Sequence, residues 1–344
     1  MKRIKVAICG YGGLGRSHAN QLAAMPDVEL VAVCDRLPER LVAKEVATNL
    51  GGAGPAFDIR RSRTYTDFDE LLAKEKPEAV FTALPTDLHA PLAVKAMAAG
   101  AHVFSEKPMA IDSAACDAMI QASERYGRKL MVGQCLRFWP EYEFLQKCVV
   151  EGSYGRLRSL AMTRVGAYAS WSAEDWMNRA SRSGGAILDL HLHDVDWAQQ
   201  AFGEPGELCA GGKVGKTGGI DDVSAVWTYD DFCVTLRGSW MAQGFAMSFQ
   251  ACFEVATLQF GLHPDPALHL VKPGAAPEKI AVSAQSAYFR EDRYFLDCIR
   301  EDRPVERCLP ESAKRSVALV ERERRAIEAG RDLEAVPKAN RGRA

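Results

Sequence analysis

The run Gly10-Tyr11-Gly12-Gly13-Leu14-Gly15 constrains this chain more than any other feature. It follows directly on the apolar, β-branched run Ile4–Cys9 and leads into a helical pattern at about 13–25. Between a strand and a helix, each glycine has a task. One allows a tight turn, one lets backbone approach a pyrophosphate, and one lets the helix pack closely on the strand. The pyrophosphate then rests on the free N–H groups of the helix N-terminus. Glycines so spaced also occur in plain turns, so context decides. Here a strand precedes, a helix follows, and Asp35 ends the second strand, 20 residues beyond Gly15. A dinucleotide cradle formed by Gly10, Gly12, Gly13, Leu14 and Gly15 is the expectation.

Asp35 can accept both hydroxyls of an adenosine ribose and would repel a 2′-phosphate. Arg36 beside it can stack on adenine or pair with such a phosphate, or stand as a solvated surface charge. The pair predicts NAD, with NADP still possible.

Residues 1–133 alternate strand-like and helical segments. The strands are expected at Ile4–Cys9, Val28–Cys34, Ala79–Ala83, His102–Ser105 and Leu130–Gly133, with helices near 13–25, 38–49, 68–74, 88–99 and 112–126. That rhythm predicts an α/β, doubly wound parallel sheet, a Rossmann domain. Gly51–Pro55 reads as a surface loop. After a helix at 140–150 the rhythm changes to long strands at 157–165, 206–214, 222–230, 232–241 and 247–260, with shorter pieces near 268 and 280. One helix at 184–202 interrupts them, and helices at 287–301 and 311–329 close the chain. Residues 134–335 are therefore expected to form an α+β domain on a large, mostly antiparallel open sheet, for substrate binding and oligomerisation. The segment 336–344 reads as a disordered tail.

The length of 344 residues also calls for two cores rather than one. A net charge of −2 gives no field to gather nucleic acid or anionic membrane. No apolar run approaches the ~20 residues of a membrane helix. Met1-Lys2-Arg3 enters a strand at once, without a signal-peptide segment. The 10 scattered cysteines include no Cys-x-x-Cys pair, which fits reduced, cytoplasmic thiols. The expectation is a cytoplasmic protein with neither a nucleic-acid nor a membrane partner.

Two further clusters bear chemistry. Glu106-Lys107-Pro108 ends the strand beginning at His102, where ligands of open α/β sheets bind. A lysine there can hydrogen-bond a substrate hydroxyl and exchange protons; a surface Glu–Lys pair is the bland alternative. Pro85-Thr86-Asp87-Leu88-His89 ends the preceding strand. In the second cluster Asp189, His193 and Asp196 share one face of a helix at i, i+4 and i+7, between apolar shoulders, and so should face a cleft. An aspartate one turn from a histidine suits an acid–base dyad. His191 points the other way and reads as structural. A metal site is the competing reading, but His191 and His193 diverge on a helix and no cysteine joins them. No metal is expected.

Together, Gly10–Gly15, Glu106-Lys107-Pro108 and Gly184-Gly185…Asp189-x3-His193 resemble the glucose–fructose oxidoreductase/inositol dehydrogenase (Gfo/Idh/MocA) family, in the right order from residue 2 to about 330. The resemblance implies an NAD(P)-dependent oxidoreductase that moves a hydride between nicotinamide and a sugar, cyclic polyol or keto-sugar. It implies Lys107, Asp189 and His193 as catalytic residues, and cofactor contacts near Pro85, Thr86, His89, Glu106 and Lys107. Gln134 joins that cofactor set, although Gln134-Cys-Leu-Arg137-Phe-Trp139 stands where many members carry an Asn-rich segment. His191 also replaces the family's usual small residue between the Asp and the His. Arg137, Arg164, Trp171, Asp175 and Trp176 are substrate candidates, offering planar donors, acceptors and indole faces to a sugar. Two alternatives share these motifs: hydrolysis or isomerisation through a transient oxidation with retained cofactor, and a non-catalytic NAD(P)-binding regulator. A homodimer or homotetramer is expected, because an open sheet covered by helices on one side leaves an apolar face.

Overall fold

Runs of Val, Ile, Ala and Phe too short for helices, each closed by a turn, build the first sheet. The computed structural model describes residues 2–42 and 57–333. It begins β1 (Ile4–Cys9), α1 (Gly13–Ala23), β2 (Val28–Cys34), β3 (Arg63–Tyr65), α2 (Phe68–Glu75), β4 (Ala79–Thr82), α3 (His89–Ala98), β5 (His102–Glu106), α4 (Ser113–Tyr126) and β6 (Leu130–Gly133), then α5 (Pro140–Glu151). The strands form a six-stranded parallel sheet in the order β3-β2-β1-β4-β5-β6. The order reverses between β1 and β4, and the crevice outside the carboxyl ends there is where such sheets take ligands. The expected strands are present. β3 was not expected, because Arg63-Thr-Tyr65 is too short and polar to stand out. Of the helix expected at 38–49, the described part is a 3-10 turn at Pro38–Arg40; the remainder, and the Gly51–Pro55 loop, lie outside the described residues, as does the expected tail at 336–344.

The second sheet comes from β7 (Leu157–Ala167), then, after helices α6 (Ala180–Ser183), α7 (Ala186–Asp189) and α8 (Leu192–Phe202), from β8 (Glu207–Val214), β9 (Ile220–Thr228), β10 (Cys233–Ser239), β11 (Met241–Phe253), β12 (Thr257–Phe260), β13 (Leu268–Val271) and β14 (Glu278–Lys279). Helices α9 (Ala287–Arg300) and α10 (Pro310–Leu333) follow. Eight strands run in the order β14-β13-β12-β11-β7-β10-β9-β8, antiparallel except for the β7–β10 pair.

Two expected elements are divided. The strand expected at 247–260 is β11 and β12, joined by a turn in which Phe253 N–H donates to the Ala256 carbonyl at 2.8 Å. The helix expected at 184–202 is α7 and α8. Gly184 and Gly185, at φ +81° and +78°, separate α7 from α6. The His191 N–H donates five residues back to the Ala186 carbonyl at 2.9 Å, and the register slips before α8.

The chain forms two compact units. The first holds the chain up to Ser153 with Ser181–Ser183 and Ile280–Val317; the second holds Tyr154–Ala180, Gly184–Lys279 and the chain from Ala318 onward. This differs from the expected boundary at 133/134 because α9 completes the first core. Phe295 of α9 lies edge-on to Phe81 and Phe104, which stack at 4.7 Å. In the second unit Val223, Trp227, Val234, Leu236 and Met162 are buried on one face of the sheet. On the opposite face Cys209, Val226, Thr235, Ala161 and Gln250 lie in register across β8, β9, β10, β7 and β11. That row mixes small apolar and polar side chains, where an apolar face was expected.

Candidate active site

The glycine loop is held by close backbone approaches that a side chain would break. Gly10 has φ +93°, and a Cβ there would sit 2.2 Å from the Ala83 carbonyl oxygen at the end of β4. A Cβ on Gly15 would meet the Gly10 carbonyl oxygen at 1.9 Å. Gly12 is different: a Cβ would find only the Arg40 guanidinium, at 3.5 Å. Gly12 is also the N-cap of α1, and no side chain caps that helix, whereas α2 and α4 are capped by Asp67 and Asp112. Gly13, Leu14 and Gly15 form its first turn, whose N–H groups suit an anion. A cradle open at Gly12 above an uncapped helix end fits a dinucleotide pyrophosphate.

Asp35 is buried just past β2. Its Oδ2 accepts the Tyr11 N–H at 2.8 Å and its Oδ1 the Leu37 N–H at 3.0 Å. Arg40 donates to the same Oδ2 at 3.3 Å, and Arg16 donates to the Arg40 carbonyl while lying 4.4 Å from the Tyr11 ring centroid. Arg36 is exposed. Arg40 and Arg16 were not singled out from the sequence, although Arg16 lies one residue past the last loop glycine.

The ends of β4, β5 and β6 supply the other cofactor candidates. Thr86, next to Pro85, is buried, and its hydroxyl has no hydrogen-bond partner among the described residues; the same holds for the Gln134 side-chain amide nitrogen. Buried polar groups seldom go unpaired, so two orphans at the ends of β4 and β6, on either side of β5, also fit a polar ligand. His89 is buried with Nδ1 2.7 Å from the Pro108 carbonyl and Nε2 2.8 Å from that of Leu84. It therefore ties the Glu106-Lys107-Pro108 turn to the end of β4. Burial pushes its pKa down, against the pull of the two carbonyls. Glu106 is buried and accepts the Lys107 N–H on Oε2 at 3.1 Å, while the Lys107 side chain is partly exposed.

In the second unit Asp189 ends α7 and His193 lies in the first turn of α8; Asp189 is 7% exposed, His193 partly exposed, and Asp196 wholly buried. The three were expected to line a cleft together, and burial removes Asp196 from such a surface. His191 is structural, as expected: its Nε2 donates to Glu323 at 2.8 Å, and the Trp227 indole N–H donates to the other oxygen at 2.8 Å. Arg164 is committed to Asp194, with two hydrogen bonds of 3.0 and 3.1 Å and both side chains buried. Arg137, in the first unit, is likewise buried and donates to Ser312 at 2.8 Å. These two substrate candidates are thus engaged in internal pairs, and their partners Asp194 and Ser312 gave no sequence signal. Trp171 is 62% exposed. Asp175, exposed at φ +56°, accepts from Asn178 at 2.6 Å, and Trp176 is partly buried beside it.

Comparison with known proteins agrees with the fold. Residues 4–134 match the model of an oxidoreductase family with an NAD-binding Rossmann fold, and residues 142–259 match the GFO/IDH/MocA C-terminal domain. The chain is 31% identical over 199 residues to an uncharacterized oxidoreductase of Rhizobium meliloti, covering 58% of this chain and 56% of that one. It is 27% identical over 230 residues to the myo-inositol 2-dehydrogenase of Thermotoga maritima, covering 65% and 64%. The chain thus spans less than two thirds of the length of these two relatives. With the UDP-N-acetylglucosamine 3-dehydrogenase of Acidithiobacillus ferrooxidans it shares 28% identity over 318 residues, covering 89% of this chain and 91% of that one. The solved structure of that dehydrogenase superposes with a TM-score of 0.76 at 26% identity, covering 96% and 99%.

Proposed function

This chain belongs to the Gfo/Idh/MocA oxidoreductase family, and on that premise we propose that it is an NAD-dependent dehydrogenase acting on a hydroxyl of a sugar or cyclic polyol. The observation that carries the reading is the row of strand ends in the first unit. The open glycine cradle after β1, the orphaned hydroxyl of Thr86 after β4, Lys107 after β5 and the orphaned amide of Gln134 after β6 follow one another along one edge of the sheet. The cradle and Asp35 hold the dinucleotide at its pyrophosphate and ribose. Bound there, the nicotinamide supplies the hydride acceptor.

Lys107 donates a hydrogen bond to the reacting oxygen and steadies its developing negative charge. His193 takes the hydroxyl proton, and Asp189 orients the imidazole and stabilises its charged form. Lys107 and His193 can exchange these roles. Trp171 and Trp176 offer indole faces for ring C–H groups. The second unit serves substrate binding and also assembles the protein as a homodimer or homotetramer through the outer face of its sheet.

The deciding experiment is a panel of sugars and cyclic polyols with NAD and NADP, read by nicotinamide absorbance. Lys107→Ala and His193→Ala should each lower turnover by about 10²–10⁴-fold while the protein still binds NADH. Turnover at the wild-type rate in either variant removes that residue from the mechanism. A monomeric mass by light scattering at micromolar concentration removes the assembly.

A further inference from the structure

The most unusual chemistry outside the proposed reaction centre lies inside the first unit. His18, on α1 just beyond the glycine loop, is 1% exposed. Its Nε2 lies 2.9 Å from Glu106 Oε1, and its Nδ1 lies 2.9 and 3.0 Å from the two oxygens of Asp292 on α9. Both ring nitrogens thus face carboxylates, which accept only, so both carry protons and the ring is an imidazolium. Phe81 and Phe104 enclose it, with ring centroids at 5.6 and 5.2 Å, and Tyr288 stands edge-on at 6.5 Å. Burial alone would depress the histidine pKa, but Asp292 and Glu106 override it and hold the ring well above its ordinary value.

A buried ion triad is a poor way to gain stability, since apolar side chains of similar volume commonly do as well or better. What it does supply is fixed geometry. Glu106 uses its second oxygen to accept the Lys107 N–H. A chain of hydrogen bonds therefore runs from α1, whose first turn forms the pyrophosphate cradle, through His18 and Glu106 to the backbone of Lys107. Among the described residues this is a polar connection of two links between the cofactor loop and the proposed reacting lysine.

We propose that His18 is a positioning residue that couples dinucleotide binding at the glycine loop to the placement of Lys107, acting through Glu106. The proposal rests on the reading of Lys107 given above. Charged and titratable groups around the ring are Glu106 on β5, Glu291, Asp292 and Tyr288 on α9, and Arg307 beyond it, whose charge acts on Glu291. Glu291 is wholly buried, and neither of its carboxyl oxygens has a hydrogen-bond partner among the described residues. Burial, and then the neighbouring Glu106 and Asp292, push its pKa well up, while His18 makes its hydrogen bonds to Glu106 and Asp292.

The test needs a readout besides turnover. In the full-length protein, acetylation of the Lys107 amine is followed by mass spectrometry with and without NADH, alongside NADH affinity by fluorescence. NADH should change the Lys107 rate in wild type, and His18→Gln should weaken that response by about fivefold or more while NADH still binds. The same variant should lower kcat by about a hundredfold, the cost of a small misplacement of a reacting group, with KM far less affected. If His18→Gln does not fold, Asp292→Asn keeps the ring and its contact with Glu106 and carries the same measurements. A Lys107 rate that ignores NADH in wild type overturns the proposal, and so does an unchanged response or unchanged kcat in a folded variant. Failure of the dehydrogenase reading is seen separately, as absence of turnover by wild type across the substrate panel.

Discussion

The carboxylate of Asp35 accepts a hydrogen bond from the backbone N–H of Tyr11 at 2.8 Å, so the residue just past β2 also holds the glycine loop after β1. With the Leu37 N–H and the Arg40 guanidinium as its other contacts, the carboxylate keeps one of its roughly four lone-pair sites, on Oδ1, for a ribose hydroxyl.

Asp35→Ser should therefore do two things at once. It removes the repulsion of a 2′-phosphate and frees Arg40, with the exposed Arg36 nearby, to meet one. kcat/KM for NAD should fall by about 10- to 100-fold, the worth of one charge-assisted hydrogen bond, and that for NADP should rise. Steady-state kinetics with both cofactors checks this. A wild type that prefers NADP by tenfold or so would show that the arginines outweigh Asp35.

Gly12 and Gly15 should separate binding from folding. Gly15→Ala drives a methyl against the Gly10 carbonyl and should lower the melting temperature sharply. Gly12→Ala meets only the end of a flexible arginine, so the fold should persist while the methyl obstructs the pyrophosphate. Thermal melts and NADH titration of the two variants should move in opposite orders; equal melting temperatures would refute the contrast.

Glu291 gives a pH dependence with a definite sign. Its folded pKa is raised by burial, so above the unfolded value the native state holds a proton that the unfolded chain has released. Stability then falls as pH rises, by up to about 1.4 kcal/mol per pH unit for this one group, until the folded pKa is passed. Asp292, raised to about 6 by its burial, acts in the same direction. Glu291→Gln mimics the protonated acid and should flatten the fall in urea midpoint between about pH 5 and pH 8. An identical slope in the variant would count against a protonated Glu291.

Arg164→Met should damage stability first. It leaves the Asp194 carboxylate buried and unpaired, at a cost of about 3–5 kcal/mol. Arg164→Met/Asp194→Leu, which removes both charges, should recover most of it. Denaturant unfolding of the single and double variants measures the recovery, and a double variant no more stable than the single would place the cost elsewhere.

Much of the fold was legible because local rules carried it. Val28–Cys34 and Leu130–Gly133 are strands at the expected bounds, and Gly10–Gly15 stands between strand and helix as its spacing implies. What the sequence hid is what depends on distant partners. Asp292 lies 274 residues from His18, and nothing near either residue announces the pair. Arg164 looked available to a sugar because Asp194, 30 residues on, is not a helical neighbour of it. The slip after Ala186 escaped notice because Asp189 and His193 have helical spacing whether or not the helix is continuous. In the candidate site the lysine, aspartate and histidine were visible as motifs, while Arg40 and His18 became visible only with the fold.

One carboxylate sets how short this protein can be made. Glu323 accepts the Trp227 indole on one oxygen and His191 on the other, and all three side chains are wholly buried. Beside the buried Leu319, Val320 and Ile327, the final helix thus carries one buried acid that satisfies two polar groups of the second unit. A chain cut after residue 330 keeps that acid, whereas one cut at 320 strands an indole N–H and an imidazole N–H in a dry interior. Trp227 is then a built-in optical gauge, because its emission will register whether that last segment of the chain is seated.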